Sequence, residues 1–125
     1  MIFGIGTDIV EVNRIENSLS QFGDAFAKRI LHPDEMLEYE HSLLKSRFLA
    51  KRFAAKEAFS KALGTGLRAP VTFHNIVIAH DTLGKPVFVI SKELQVLLDE
   101  KKIQKLHVTV SDEKNLAVAF VVLEV

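Results

Sequence analysis

The longest helical pattern in the chain runs from Leu43 to Leu63, and the remaining elements have to be arranged around it. Leu44, Phe48, Ala55, Phe59 and Ala62 trace an apolar stripe along it, the spacing expected of a helix with one face turned to a core. Ser42 stands where an N-cap is needed, its hydroxyl able to accept from a free first-turn amide. Gly64 stops the pattern, since glycine takes the left-handed conformation just past a helix end without strain. The same stretch, KSRFLAKRFAAKEAFSKALGTG, is also the part of the chain densest in chemistry.

The flanking segments define the fold class. Ile2 to Ile5 is a short apolar run closed by Gly6, suited to a buried strand, and Val12, Ile15 and Leu19 recur at helical spacing between Val10 and about Phe22, where Gly23 ends the pattern. Asp8 therefore falls where a strand hands over to a helix. Asp24 opens a second short helix through Phe26 and Ile30, and Pro33 with Asp34 and Glu35 marks a third start, because proline and acidic residues both suit a first turn. After Pro70 the texture changes to strand pairs: Asn75 to Ala79 with Val87 to Ile90 through Asp81-Thr82-Leu83-Gly84, then Leu106 to Ser111 with Leu116 to Leu123 through Asp112-Glu113-Lys114-Asn115. Ser91 caps a helix between the pairs that reaches about Lys101. The expected fold is α+β, a single domain over residues 1–125 in which a long central helix packs on an antiparallel sheet.

Composition limits the partners. At 125 residues with 48% hydrophobic and 26% charged side chains, the chain can build one core but not two ordinary domains. Nine Phe and no Trp in so small a chain suit apolar surface buried between subunits. Sixteen basic and sixteen acidic side chains cancel, which removes the basic field of a nucleic-acid-binding protein, so an anionic partner must be met by a local patch. With no Cys there is neither a disulfide nor a thiolate metal site. The N-terminus has no basic region and its apolar stretch is broken by Asp8 and Glu11, so it does not read as a signal peptide. No apolar run approaches the ~20 residues of a membrane span. The expected location is the cytoplasm, with no membrane partner.

Taken one by one, the charged clusters are ambiguous. Glu57 and Lys61, four apart on the central helix, would make a surface ion pair of about 0.2–0.5 kcal/mol. Lys51, Arg52 and Lys56 would form a solvated basic face. Asp8 suits an N-cap as well as a ligand to a hard cation, which takes oxygen donors and tolerates water. Gly4-Ile-Gly6 follows a strand, but the third glycine of a dinucleotide fingerprint would fall on Ile9. None of the five histidines forms a chelating helical pair, so zinc chemistry is not expected.

Taken together, the amino-terminal Gly-Ile-Gly-Thr-Asp-Ile-Val-Glu-Val-Asn-Arg-Ile and the helical Arg-Phe-Ala-Ala-Lys-Glu-Ala-Phe-Ser-Lys-Ala-Leu-Gly-Thr-Gly resemble the holo-acyl-carrier-protein synthase family of phosphopantetheinyl transferases. Gly84-Lys85-Pro86 and the stretch from His107 to Glu113 resemble it too. The resemblance implies transfer of 4′-phosphopantetheine from coenzyme A to a serine of an acyl carrier protein, in support of fatty acid biosynthesis. It implies that Asp8 and Glu57 hold Mg²⁺, directly or through water, that Lys61 lies near the coenzyme A pyrophosphate, and that Arg52 meets the nucleotide phosphates. Gly64, Gly66 and Ser111 fall in the same motifs and are expected near the coenzyme. Arg14 and its helix match the surface that docks the carrier protein, helped by Lys28 and Arg29. A homotrimer with interfacial active sites is implied as well.

The resemblance also frames the chemistry. Charge spread over phosphoryl oxygens calls for positioning and electrostatic stabilisation, with Glu57 the first candidate to accept the serine proton. One departure stands out: many relatives carry a histidine near the nucleotide where this chain has Asp112. Aspartate organises turns through its own backbone amides, so Asp112 is expected to hold the last turn and not to touch the phosphates.

Overall fold

A computed structural model describes all 125 residues. The elements run β1 (Ile2–Glu11), α1 (Val12–Phe22), α2 (Asp24–Ile30), α3 (Pro33–His41), α4 (Lys45–Leu63), β2 (Ile76–His80), β3 (Pro86–Ile90), α5 (Lys92–Glu100), β4 (Lys105–Asp112) and β5 (Leu116–Glu124). The fold is α+β, as the sequence pattern led us to expect. β1, β5 and β4 form an antiparallel sheet in that order, and β2 and β3 form a separate hairpin.

The long helix lies across the sheet's inner face because both sides of the contact are small. Ala50, Ala54, Ala55 and Ala58 of α4 have no accessible surface, nor do Ala117 and Ala119 of β5. Gly4 and Gly6 complete the seat: a methyl group at Gly4 would run into the Ala62 carbonyl oxygen, and one at Gly6 into that of Ala58. Their role is therefore close approach of helix and strand. This corrects the reading of Gly6 as the end of a strand, since β1 continues through it to Glu11. Asp8 consequently lies within a strand and is not an N-cap; α1 starts from Glu11 with no side-chain cap.

α4 begins two residues later than expected, from Leu44 as its cap residue, while Ser42 Oγ accepts from Leu44 N at 3.1 Å in the turn before it. Two residues of its basic face, Arg52 and Lys56, are not solvated, while Lys51 stays half-exposed. Lys56 is fully buried, and its Nζ donates to Glu35 Oε1 at 2.6 Å and to the Ile30 and Phe73 carbonyls at 2.7 and 2.9 Å. Arg52 Nη1 donates to Glu35 Oε2 at 3.0 Å and to the Ile78 carbonyl at 2.9 Å. Glu35 accepts further bonds from His32 N and Ile78 N. One carboxylate thus ties α3, α4 and β2 together, with every buried side-chain polar atom satisfied. Burial pulls the Lys56 ammonium down to about 8, against the opposing pull of Glu35.

The other face of the sheet is uncovered. Ile5, Ile9 and Phe120 alternate away from α4 and are 59%, 62% and 42% exposed, an apolar surface on a chain that has a complete core elsewhere. No helix is long and apolar enough to cross a membrane.

Candidate active site

The alternation that turns Gly4 and Gly6 toward α4 also turns Asp8 inward. It meets α4 where Glu57 and Lys61 project. β1 is an edge strand, and Lys61 Nζ donates to its Thr7 carbonyl at 3.0 Å and to Asp8 Oδ1 at 3.1 Å. The surface pair Glu57–Lys61 that helical spacing permits is not among the salt bridges; the ammonium crosses to Asp8 instead. Exposed as it is, this contact adds little stability, so its arrangement calls for another explanation. Burial pushes the Glu57 carboxyl above the usual carboxylate range, the charge of Asp8 pushes it further, and Lys61 opposes both.

Asp8 and Glu57 line one cleft of about 540 Å³, whose walls include Arg14, Phe26 and Phe53. The cleft sets a pair of mutually repelling carboxylates beside an apolar wall and one arginine. Such a pair suits a hard divalent cation, which needs only one or two protein carboxylates when water and substrate oxygens complete its shell. No third acidic or histidine side chain gathers with them. Arg14 is exposed on α1, and Lys28 and Arg29 are exposed in the last turn of α2. All three are free to meet an acidic surface.

A second groove opens on the opposite flank of α4, with a volume of about 290 Å³ lined by Lys51, Arg52, His80, Gly84, Pro86 and Asp112 among others. Arg52 reaches it, but only as wall: Glu35 and the Ile78 carbonyl occupy Nη1, Glu38 accepts from Nη2 at 2.6 Å, and the guanidinium lies 4.5 Å over the Phe48 ring. A guanidinium held between two carboxylates has little charge left for a phosphate. Gly64 closes α4 in the left-handed conformation and Gly66 also has positive φ, while Ser111 is exposed on the outward face of β4.

Asp112 corrects its expectation. The last turn is closed by Glu113 N donating to the Leu116 carbonyl, whereas Asp112 Oδ2 accepts from Arg47 Nε at 3.0 Å and Arg47 Nη2 at 2.6 Å. Asp112 faces inward on β4 and so meets α4. Sequence reading missed this pair and the aromatic wall, Phe26 and Phe53. The one available signal was strand alternation counted forward from Val108, which puts Asp112 on the core side.

The chain matches the model of the 4′-phosphopantetheinyl transferase superfamily over residues 4–121. It is 52% identical to the holo-[acyl-carrier-protein] synthase of Nitrosospira multiformis, covering 99% of both chains. Among solved structures, the holo-[acyl-carrier-protein] synthase from Neisseria meningitidis superposes with a TM-score of 0.96 at 52% identity, over 99% of both chains. That from Bacillus anthracis, in complex with CoA (3′,5′-ADP), gives a TM-score of 0.82 at 41% identity, over 98% of this chain and 96% of that one.

Proposed function

This chain belongs to the 4′-phosphopantetheinyl transferase superfamily, and from that premise we propose that it transfers 4′-phosphopantetheine from coenzyme A to a serine of an apo-acyl carrier protein, releasing adenosine 3′,5′-bisphosphate. The observation that carries the reading is the meeting of residues from two distant motifs, Asp8 with Glu57 at one cleft and with Lys61 beside it. A docking module for an acidic partner has no use for two carboxylates held together against their own repulsion.

In this reading Asp8 and Glu57 hold a Mg²⁺ ion, which when bound polarises the pyrophosphate as a Lewis acid. Lys61, already poised over the strand edge, offsets charge that develops on the phosphoryl oxygens. The serine oxygen bonds to the β-phosphorus as the bond from that phosphorus to the bridging oxygen breaks, and the leaving bisphosphate keeps that oxygen. Glu57 is the group lining the cleft that takes the serine proton, directly or through one water. Arg14, at the mouth of the same cleft, with Lys28 and Arg29 on the next helix, docks the acidic carrier protein.

The uncovered sheet face suits contact with further copies of this chain, and the assembly we propose is a homotrimer. The enzyme works in the cytoplasm and supplies fatty acid biosynthesis. Incubation with coenzyme A, Mg²⁺ and an apo-carrier protein should add a phosphopantetheine increment to the carrier's serine by mass spectrometry. Absence of the increment with a carrier that another transferase can load would refute the reading.

A further inference from the structure

We propose that His74 is a positioning residue for carrier-protein docking: its imidazole caps the last turn of α2 and so holds Lys28, Arg29 and Phe26 where an acidic carrier meets them. The inference rests on the reading of an acyl carrier protein as substrate and names a residue outside the cleft that sets how the carrier is received. His74 Nε2 lies 2.6 Å from the Lys28 carbonyl oxygen. A carbonyl only accepts, so Nε2 carries the proton and donates.

α2 has little else to hold it. At seven residues, Asp24–Ile30, it is shorter than a helix that is stable by itself. It starts from Gly23 with no side-chain cap and buries only Ala27 and Ile30. The carbonyls of a last helical turn have no partner within the helix. In α2 two of them are met by side chains from outside: that of Lys28 by His74, and that of Ile30 by Lys56 Nζ at 2.7 Å. Both donors come from segments whose place is set independently of α2.

The support under His74 is firm. The Phe73 carbonyl accepts from buried Lys56 Nζ at 2.9 Å, and the Phe73 ring packs on Phe53 with centroids 5.5 Å apart. On the other side Asn75 Nδ2 donates to the Pro70 carbonyl at 2.9 Å, and the Asn75 carbonyl accepts from Ser91 N at 3.1 Å. The His74 ring also meets His32 edge-on, with centroids 6.3 Å apart, at the turn that follows α2. The exposed imidazole thus reaches from a pinned backbone to a weakly held helix, and the constraint runs from His74 to α2. What α2 carries is the basic pair Lys28 and Arg29, both exposed, and Phe26, which shares the cleft of Asp8, Glu57 and Arg14. Groups fixed before contact lose less freedom on binding, so a capped α2 favours the docked carrier without touching the chemistry.

Steady-state kinetics with an acidic apo-carrier protein and coenzyme A, read beside calorimetric titration of each, test this. His74→Ala should raise KM for the carrier about fivefold, the worth of one hydrogen bond, and leave kcat and the affinity for coenzyme A within about twofold. His74→Gln, whose amide nitrogen can donate to the same carbonyl, should recover most of the loss. In a Lys28→Ala/Arg29→Ala background His74→Ala should add little, as expected of a residue that acts through others. An unchanged carrier KM in His74→Ala, or a fall in coenzyme A affinity as large as that for the carrier, would overturn the proposal. The imidazole is exposed, so its removal leaves the core intact. If the parent binds the carrier without modifying it, the transferase reading fails, while the carrier Kd of His74→Ala, expected to be about fivefold weaker, still decides this one.

Discussion

Glu57 illustrates how a single side chain records a task at odds with stability. Its carboxyl is held up by burial and by Asp8, so the folded state holds the proton more tightly than the unfolded chain does. The group therefore contributes stability below the unfolded value, and that contribution is lost as pH rises through the folded one. At neutral pH its charge is a net cost to the metal-free fold. Glu57→Gln should accordingly melt no lower than the parent without Mg²⁺, lose the rise in Tm that Mg²⁺ gives the parent, and lose about a hundredfold or more in transfer rate, since removing even a supporting residue from a metal site costs up to that much. A persisting Mg²⁺-dependent rise in Tm in this variant would remove Glu57 from the metal site. Neither carboxylate announces the proposed role locally. Asp8 read equally as a helix cap and Glu57 as half of an exposed pair, because neither sequence spacing nor propensity encodes a contact across 53 positions, the separation of Asp8 and Lys61.

Elements were more legible than their boundaries. Helical spacing, Pro33, Ser91 and Gly64 located α3, α5 and the end of α4, where local chemistry decides the backbone. The extent of β1 and the start of α4 were misread because tertiary contacts set them: β1 passes through Gly6 to pair with β5 and seat α4. The burial of Lys56 and Arg52 was invisible for the same reason, as their partner Glu35 belongs to another helix. Gly6→Ala should then be expensive, about 3 kcal/mol by denaturant unfolding, since the methyl meets helix backbone that cannot swing aside. A loss no larger than that of an ordinary surface substitution would mean that α4 sits further from β1. The β2–β3 hairpin carries a different signature. Asp81 Oδ1 accepts from Leu83 N and Lys85 N, each at 2.9 Å, and these backbone bonds hold its carboxyl below the ordinary value. Its contribution is present above the unfolded value near 3.8 and is lost as pH falls through the depressed folded one. The stability gap between the parent and Asp81→Ala should therefore close on acidification. A gap independent of pH would mean that the carboxylate does not organise the turn.

At the scale of the whole molecule, the uncovered sheet face is the feature that one chain leaves unexplained. β1 and β5 each turn half of their side chains inward onto α4; the other half includes Ile5, Ile9, Leu116 and Phe120, all exposed and contiguous across the paired strands. Water against such a face is costly, at roughly 25 cal/mol per Å² of apolar surface, and large apolar patches on small proteins mark contact surfaces. A cyclic trimer covers the face in every copy and leaves none open, whereas a head-to-tail contact that failed to close would propagate into fibres. Sedimentation equilibrium should give three times the 14.0 kDa chain mass, with a Tm that rises with protein concentration as folding is linked to assembly. Phe120→Glu places a charge at the centre of that surface and leaves α4 and its seat untouched. The expected product is a folded monomer, with native far-ultraviolet dichroism but transfer activity reduced in proportion to the trimer lost, as the proposed interfacial active site requires. Recovery of activity on raising the variant's concentration would tie the loss to dissociation and not to local damage. A Phe120→Glu monomer as active as the parent would show that each chain carries a complete site, and the uncovered face would then need a different partner.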